Sequence, residues 1–160
     1  MSELKFKVNS LGQTEELANQ IASNLKGGEV ICLIGELGVG KTYFVKFFAE
    51  ALGVKGDEVI SPTFVYWRKH KGTDFNLNHF DFYRLESEDE VQEVGLDEAL
   101  EDTKGITIIE WADRVGSYLP KDRFEIHIEF LGESERQFNI RSMSKKYNYL
   151  LRDVKLEAES

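Results

Sequence analysis

The chain has 160 residues, 41% hydrophobic and 12% aromatic, which suits one domain with a real core and excludes general disorder. A net charge of −9 argues against strong unaided binding to a duplex or a tRNA, which calls for a basic face. With Cys32 the only cysteine, no transmembrane-length apolar run and no signal-peptide core after Met1-Ser2-Glu3-Leu4-Lys5, a cytoplasmic protein without an internal disulfide or zinc–thiolate cluster is expected.

Thr14 has the chemistry of a helix N-cap, and Leu17, Ile21, Ala22 and Leu25 follow at helical spacing before Gly27-Gly28. Val30-Ile31-Cys32-Leu33-Ile34 has the length and branching of a buried parallel strand, with Cys32 an inert core thiol. Gly35-Glu36-Leu37-Gly38-Val39-Gly40-Lys41-Thr42 then fits the phosphate-loop pattern G-x-x-x-x-G-K-[ST] in full. Phe44, Phe47, Phe48, Ala51 and Leu52 are apolar at helical spacing, and Gly53 closes the segment where a C′ glycine belongs. Strand, glycine loop and helix in that order are the setting the motif requires.

In such a loop Gly35 and Gly40 permit the sharp backbone turn, and the N–H groups converge on an anion. Lys41, at the surface of that nest, reaches the β- and γ-phosphates, and Thr42 offers its hydroxyl to Mg²⁺. Glu36 would repel phosphate and is expected to face solvent. A glycine-rich turn without a ligand would need neither Lys nor Thr after its last glycine.

Glu58-Val59-Ile60 could form a short strand before the turn chemistry of Ser61-Pro62-Thr63. Residues 64–69 and 76–82 are β-rich runs around Lys71-Gly72-Thr73-Asp74, a hairpin signal. Residues 86–101 suggest a helix interrupted at Gly95, with its acidic residues on a solvated face. Residues 106–109 form a second buried strand, and 122–130 with 136–141 a second hairpin around Gly132. From Ser142 a C-terminal helix is expected, with Tyr149, Leu150 and Val154 inward; this helix and a charged tail together make up 143–160. Residues 1–160 therefore predict one α/β domain of phosphate-loop NTPase type, its mainly parallel sheet flanked by helices and extended by antiparallel strands.

A phosphate loop needs a further carboxylate at the end of a neighbouring buried strand. Glu110 supplies one, one methylene longer than the usual Asp; the plain alternative is a Glu merely leaving a strand. His79-Phe80-Asp81-Phe82-Tyr83-Arg84 alternates, so His79, Asp81 and Tyr83 share a face. That face is either simply wet or carries Asp81 to the γ-phosphate, to position water, act as general base or support the metal. His79 fits an orienting partner or a surface residue better than a metal ligand, because no ligand-spaced His or Cys accompanies it. Thr63 could sense the γ-phosphate through Mg²⁺, and Trp111 is either carried to the site rim by Glu110 or an ordinary core aromatic. Neither an Asn-Lys-x-Asp guanine signature nor an Asp-x-x-Gly switch occurs, which favours ATP over GTP. No arginine finger is evident; Arg84 and Arg114 are the candidates.

The phosphate loop at 35–42, Ser61-Pro62-Thr63-Phe64, His79-Phe80-Asp81-Phe82-Tyr83-Arg84-Leu85, Glu93-Val94-Gly95 and Ile109-Glu110-Trp111 together resemble, in order and spacing, the TsaE family. These are small phosphate-loop ATPases of bacterial tRNA threonylcarbamoyladenosine biosynthesis. The resemblance implies a cytoplasmic Mg²⁺-dependent ATPase, slow when isolated, that works with TsaB- and TsaD-like proteins and meets tRNA only through them, with no membrane. It implies Thr42 and Glu110 as Mg²⁺ positions, Lys41, Asp81 and Trp111 as residues of ATP turnover, and Thr63 as switch-like. It places ATP against residues 35–42 (Gly35, Glu36, Leu37, Gly38, Val39, Gly40, Lys41 and Thr42) and Tyr43, with Leu11 near the adenine and Arg136 near the nucleotide. Val39 and Tyr43 depart from the Ala and Thr common there without removing a ligand. Two other readings stay open: a small-molecule kinase, from the Asp-x-x-Arg spacing of Asp81 and Arg84, and a nucleotide-dependent binding module.

Overall fold

A computed structural model describes residues 2–36, 38, 40–55, 66–152 and 154–156. The expected strand at 58–60 and the Ser61-Pro62-Thr63 turn lie outside the described residues. In chain order the elements are β1 (Ser2–Val8), α1 (Leu11–Ser23), β2 (Val30–Ile34), α2 (Lys41–Ala51), β3 (Trp67–Lys71), β4 (Asn76–Asp81), α3 (Leu96–Leu100), β5 (Gly105–Glu110), β6 (Phe124–Phe130) and β7 (Arg136–Ser142). Short 3₁₀ turns occupy Glu88–Gln92, Ala112–Tyr118 and Lys145–Leu151.

The strands form one sheet in the order β1–β7–β6–β2–β5–β4–β3. Its four central strands, β6, β2, β5 and β4, run parallel; β7, β1 and β3 add antiparallel edges. Both expected hairpins form, β3–β4 and β6–β7. Alternation along the strands divides the core in two. Ile31, Leu33, Leu77, Ile106 and Ile108 pack under α1 and α2 against Leu17, Ile21, Phe44 and Phe48. Val30, Cys32, Phe80, Phe82 and Ile109 pack on the other side with Val91, Leu96 and Val115. Each such side chain contributes about 1.5–3 kcal/mol by leaving water. Cys32 is fully buried and its thiol is held well above the usual thiol value, chiefly by burial, as an inert core thiol should be.

Three expectations are corrected. Helix α1 is capped by Ser10, whose side chain accepts from Gln13 N; Thr14 lies inside the first turn and bonds back to the Ser10 carbonyl. Ser10 has the extended backbone a cap needs, and capping by Thr14 would have discarded Leu11 to Gln13 from the helix. Of the two readings of β4, the simply wet face falls: β5 and β3 flank the strand, and His79 and Asn78 are each 1% exposed, so the face opens only at its end, at the half-buried Asp81. Asn78 and His79 each have one side-chain partner: Trp67 Nε1 donates to Asn78 Oδ1 at 3.1 Å, and His79 pairs with Glu110. The C-terminal segment forms a 3₁₀ turn and not an α-helix. Tyr147 and Leu150, three apart, point inward, and α1 side chains take the backbone beyond. Asn24 donates to the Arg152 carbonyl at 3.1 Å, and Gln20 exchanges two hydrogen bonds with Lys155, so that backbone is engaged outside any helix. Leu150 and Val154 are buried as expected, and Tyr149 is half-buried with its hydroxyl donating to Glu29.

Candidate functional site

Open parallel sheets bind ligands beyond the carboxyl ends of their strands. Here β2 ends at Ile34 and enters the glycine loop, β4 ends at Asp81, and β5 ends at Glu110. Glycine is required in the loop by backbone sign: Gly38 has φ 78° and Gly40 φ 113°. A Cβ at either would meet nothing within 4 Å, so open space lies before this backbone. Gly40 gives α2 no side-chain cap and the first turn carries no acidic residue, which leaves the helix's positive end free of compensating charge.

A cavity of about 250 Å³ opens there, lined by Gly38, Gly40, Lys41, Thr42 and Tyr43 from the loop and α2, by Asp81 and Tyr83 from the end of β4, and by Glu110 and Trp111 from the end of β5. Asp81 and Glu110 are register partners on adjacent parallel strands. The Glu110 Oε2 lies 2.7 Å from His79 Nε2, and both side chains are buried. His79 is thus the orienting partner of Glu110 and not a surface residue. Asp81 accepts from the Tyr83 backbone N–H at 3.0 Å, which fixes the turn at the cavity mouth.

Lys41 is not at the surface as expected: it is 4% exposed. Its ammonium donates to the Gly35 carbonyl and sits 3.4 Å from the centroid of the Trp111 ring. Burial holds it below the ordinary lysine value, against the opposing pull of Glu110, Asp113 and Asp81, while the Arg114 charge adds to the depression. Trp111 has φ 59°, the only positive φ of a non-glycine residue among those described. It packs on Tyr83 at 4.9 Å between ring centroids, and the Arg114 guanidinium lies 5.4 and 5.5 Å from the Tyr83 and Trp111 rings. Trp111 therefore stands at the rim and is no ordinary core aromatic.

A second cavity, about 320 Å³, shares Gly38, Gly40 and Tyr43 with the first. Leu11 and Arg136 line it, with Val8, Asn9, Ser10, Thr14, Glu133, Ser134 and Phe138. The Arg136 guanidinium donates to the Gly132 and Glu135 carbonyls at 2.6 and 2.9 Å and lies over Phe130, so it also braces the β6–β7 turn. Sequence reasoning missed Glu133, Ser134 and the 8–10 segment as cavity walls. No motif marks them; the pairing of β1 with β7, Val8 opposite Arg136, brings them together. Tyr83 at the rim was also missed, though its alternation with Asp81 signalled it. Glu36 is exposed, as expected, and Gly35 holds Lys41 through its carbonyl. Leu37, Val39 and Thr63 lie outside the described residues.

Residues 8–138 match the family described as threonylcarbamoyl adenosine biosynthesis protein TsaE. A Bacillus subtilis (strain 168) protein named tRNA threonylcarbamoyladenosine biosynthesis protein TsaE is 35% identical over 154 residues, which cover 96% of this chain and 95% of the relative. The Aquifex aeolicus (strain VF5) protein of that name is 40% identical over 128 residues, 79% of this chain and 87% of the relative. The crystal structure of Bacillus subtilus YdiB superposes with a TM-score of 0.78 at 29% identity, covering 96% of this chain and 94% of that one. Likeness that runs through both the sequence and the course of the backbone, over nearly the whole length, leaves one conclusion: the chain belongs to the TsaE family.

Proposed function

We propose that this chain binds ATP with Mg²⁺, hydrolyses it slowly when alone, and acts as an accessory ATPase with TsaB- and TsaD-like proteins, tRNA being met only through them. Its role in tRNA threonylcarbamoyladenosine biosynthesis follows from its family. One observation carries the ATPase reading: Lys41, Thr42, Asp81 and Glu110 line a single cavity that shares Gly38, Gly40 and Tyr43 with a second one of a size for a nucleoside.

Among the described residues no three His, Cys, Asp or Glu side chains form a metal cage. Thr42 and Glu110, two oxygen donors lining one cavity, fit Mg²⁺, which prefers one or two protein oxygens and fills its shell with water and phosphate. Thr42 and Glu110 would hold the ion; when bound, it offsets the charge of the phosphate oxygens. The remaining work falls to the chain's own groups. Lys41 supplies a cation for the terminal phosphates. Asp81, at the mouth, orients a water and accepts its proton. His79 holds the Glu110 carboxylate in place from behind. Val8, Leu11 and Phe138 offer apolar contact to a base.

The test is incubation with γ-labelled ATP, Mg²⁺ and a metabolite panel. Release of inorganic phosphate, lost in Lys41→Ala together with about ten- to a hundredfold of ATP affinity, is the expected result. Transfer of label to a discrete acceptor would instead identify a kinase, and unchanged affinity in folded Lys41→Ala would end the phosphate-loop reading. A pull-down from the source lysate with and without ATP tests the partners.

A further inference from the structure

The lysine that should meet phosphate is engaged within the chain. Its ammonium is bonded to the Gly35 carbonyl on one side and lies 3.4 Å from the Trp111 ring centroid on the other. The indole reaches that position because Trp111 adopts φ 59°, a left-handed conformation that strains a non-glycine residue. It is held from outside by Tyr83 and by Arg114, both in contact with the ring. Glu110, Trp111 and Lys41 line the same cavity, so an anion there must compete with the indole for the ammonium.

We propose that Trp111 is a displaceable cap on Lys41: its indole holds the ammonium retracted, and a polyphosphate entering the cavity draws Lys41 off the ring and frees the Tyr83–Trp111–Arg114 stack to move. The inference rests on the phosphate-binding reading above and adds a regulation of that site. The stack continues at once into the 3₁₀ turn Ala112–Tyr118. That turn is tied to the acidic segment by Ser117 Oγ donating to Glu88 at 2.7 Å and by the Tyr118 hydroxyl donating to Asp89. Uncapping therefore reaches the surface through a continuous chain of contacts. Burial already disfavours the charged ammonium, and loss of its cation–π partner must be replaced by a stronger one, which a polyphosphate is.

Two measurements test it. In protein labelled with [¹³C]lysine, the Lys41 Cε protons should resonate upfield, shifted by the indole ring current. The signal should vanish from that position in Trp111→Leu and move downfield as inorganic tripolyphosphate saturates the site. Trp111→Leu should bind tripolyphosphate about two- to thirtyfold more tightly, the range a cation–π contact supports. In Trp67→Phe, which leaves Trp111 as the sole indole, tripolyphosphate should change the fluorescence and adenosine should not. An absent upfield signal overturns the cap. So does one that stays put while Lys41-dependent binding saturates, which leaves the phosphate-binding reading standing. No Lys41-dependent binding in either background overturns both.

Discussion

Asp81 and Glu110 are neighbours by strand register, the last residues of β4 and β5, and they enter one cavity from adjacent strands. Glu110 is backed by a buried partner, His79, and Asp81 is half-buried and accepts from the backbone of the turn. The two carboxylates thus have separable jobs. Asp81→Asn and Glu110→Gln should each keep nucleotide affinity within a few-fold and lower hydrolysis by about a hundredfold or more. Isothermal titration and phosphate release decide it; wild-type turnover in either variant removes that residue's assigned role.

His79→Phe should act through Glu110. It leaves a buried carboxylate without its partner, a loss of about 1–3 kcal/mol of stability. It should also lower phosphate release while sparing the affinity for nucleotide without metal. Parallel denaturant titration and turnover measurements separate the two effects.

Gly95 is expected to resist replacement. Its φ is 96°, and a Cβ there would lie 2.7 Å from ring carbons of Trp67, which is itself stacked on Phe80. Gly95→Ala should destabilise by about 1–3 kcal/mol. Gly116→Ala, where nothing lies within 4 Å, is the control and should shift stability by no more than about 0.5 kcal/mol. Urea midpoints compare the pair.

Glu125 predicts an acid limb in stability. It sits on β6 between Cys32 and Arg141 in register and is 6% exposed. The hydrogen bond from His127 holds its carboxyl below the usual carboxylate value, burial opposes this, and Arg123 reinforces it. A depressed folded value means the stabilisation is present above the ordinary carboxylate value and is lost as pH falls through the folded one. Glu125→Gln should flatten the stability profile below the usual carboxylate range. Thermal melts across pH measure it.

Partner action should appear in rate and in affinity. Phosphate-loop proteins without an arginine finger turn over at about 10⁻⁴–10⁻³ s⁻¹, and a group supplied in trans adds several powers of ten. A TsaB–TsaD-like complex should therefore stimulate phosphate release and bind more tightly with an ATP analogue than with ADP. Equal rates and equal affinities would leave a stand-alone enzyme.

Much of this was legible in the chain because it is local. The β2–loop–α2 unit follows from an apolar run, glycines at fixed offsets and helical spacing, and both hairpins follow from alternation around turn residues. Glu110 was legible as a strand end, since a strand that finishes in a carboxylate delivers it to the sheet edge, and Asp81 by its alternation with His79 and Tyr83. The Ser10 cap and the 3₁₀ form of the C-terminal segment were not legible. Ser10 and Thr14 are equally good capping chemistry, and the last segment's conformation depends on Gln20 and Asn24, more than a hundred residues away in sequence.

The sequence by itself determined the loop, its helix and the residue types of the site. Tertiary structure alone decided the burial of β4 on both faces, the pairing of His79 with Glu110, the retraction of Lys41 under Trp111 and the wall that residues 8–10 share with 133–136. The physical reason is the range of the interactions: backbone preference and side-chain periodicity act over a few residues, whereas strand order and register set which distant side chains meet in low dielectric, and no local pattern encodes that order.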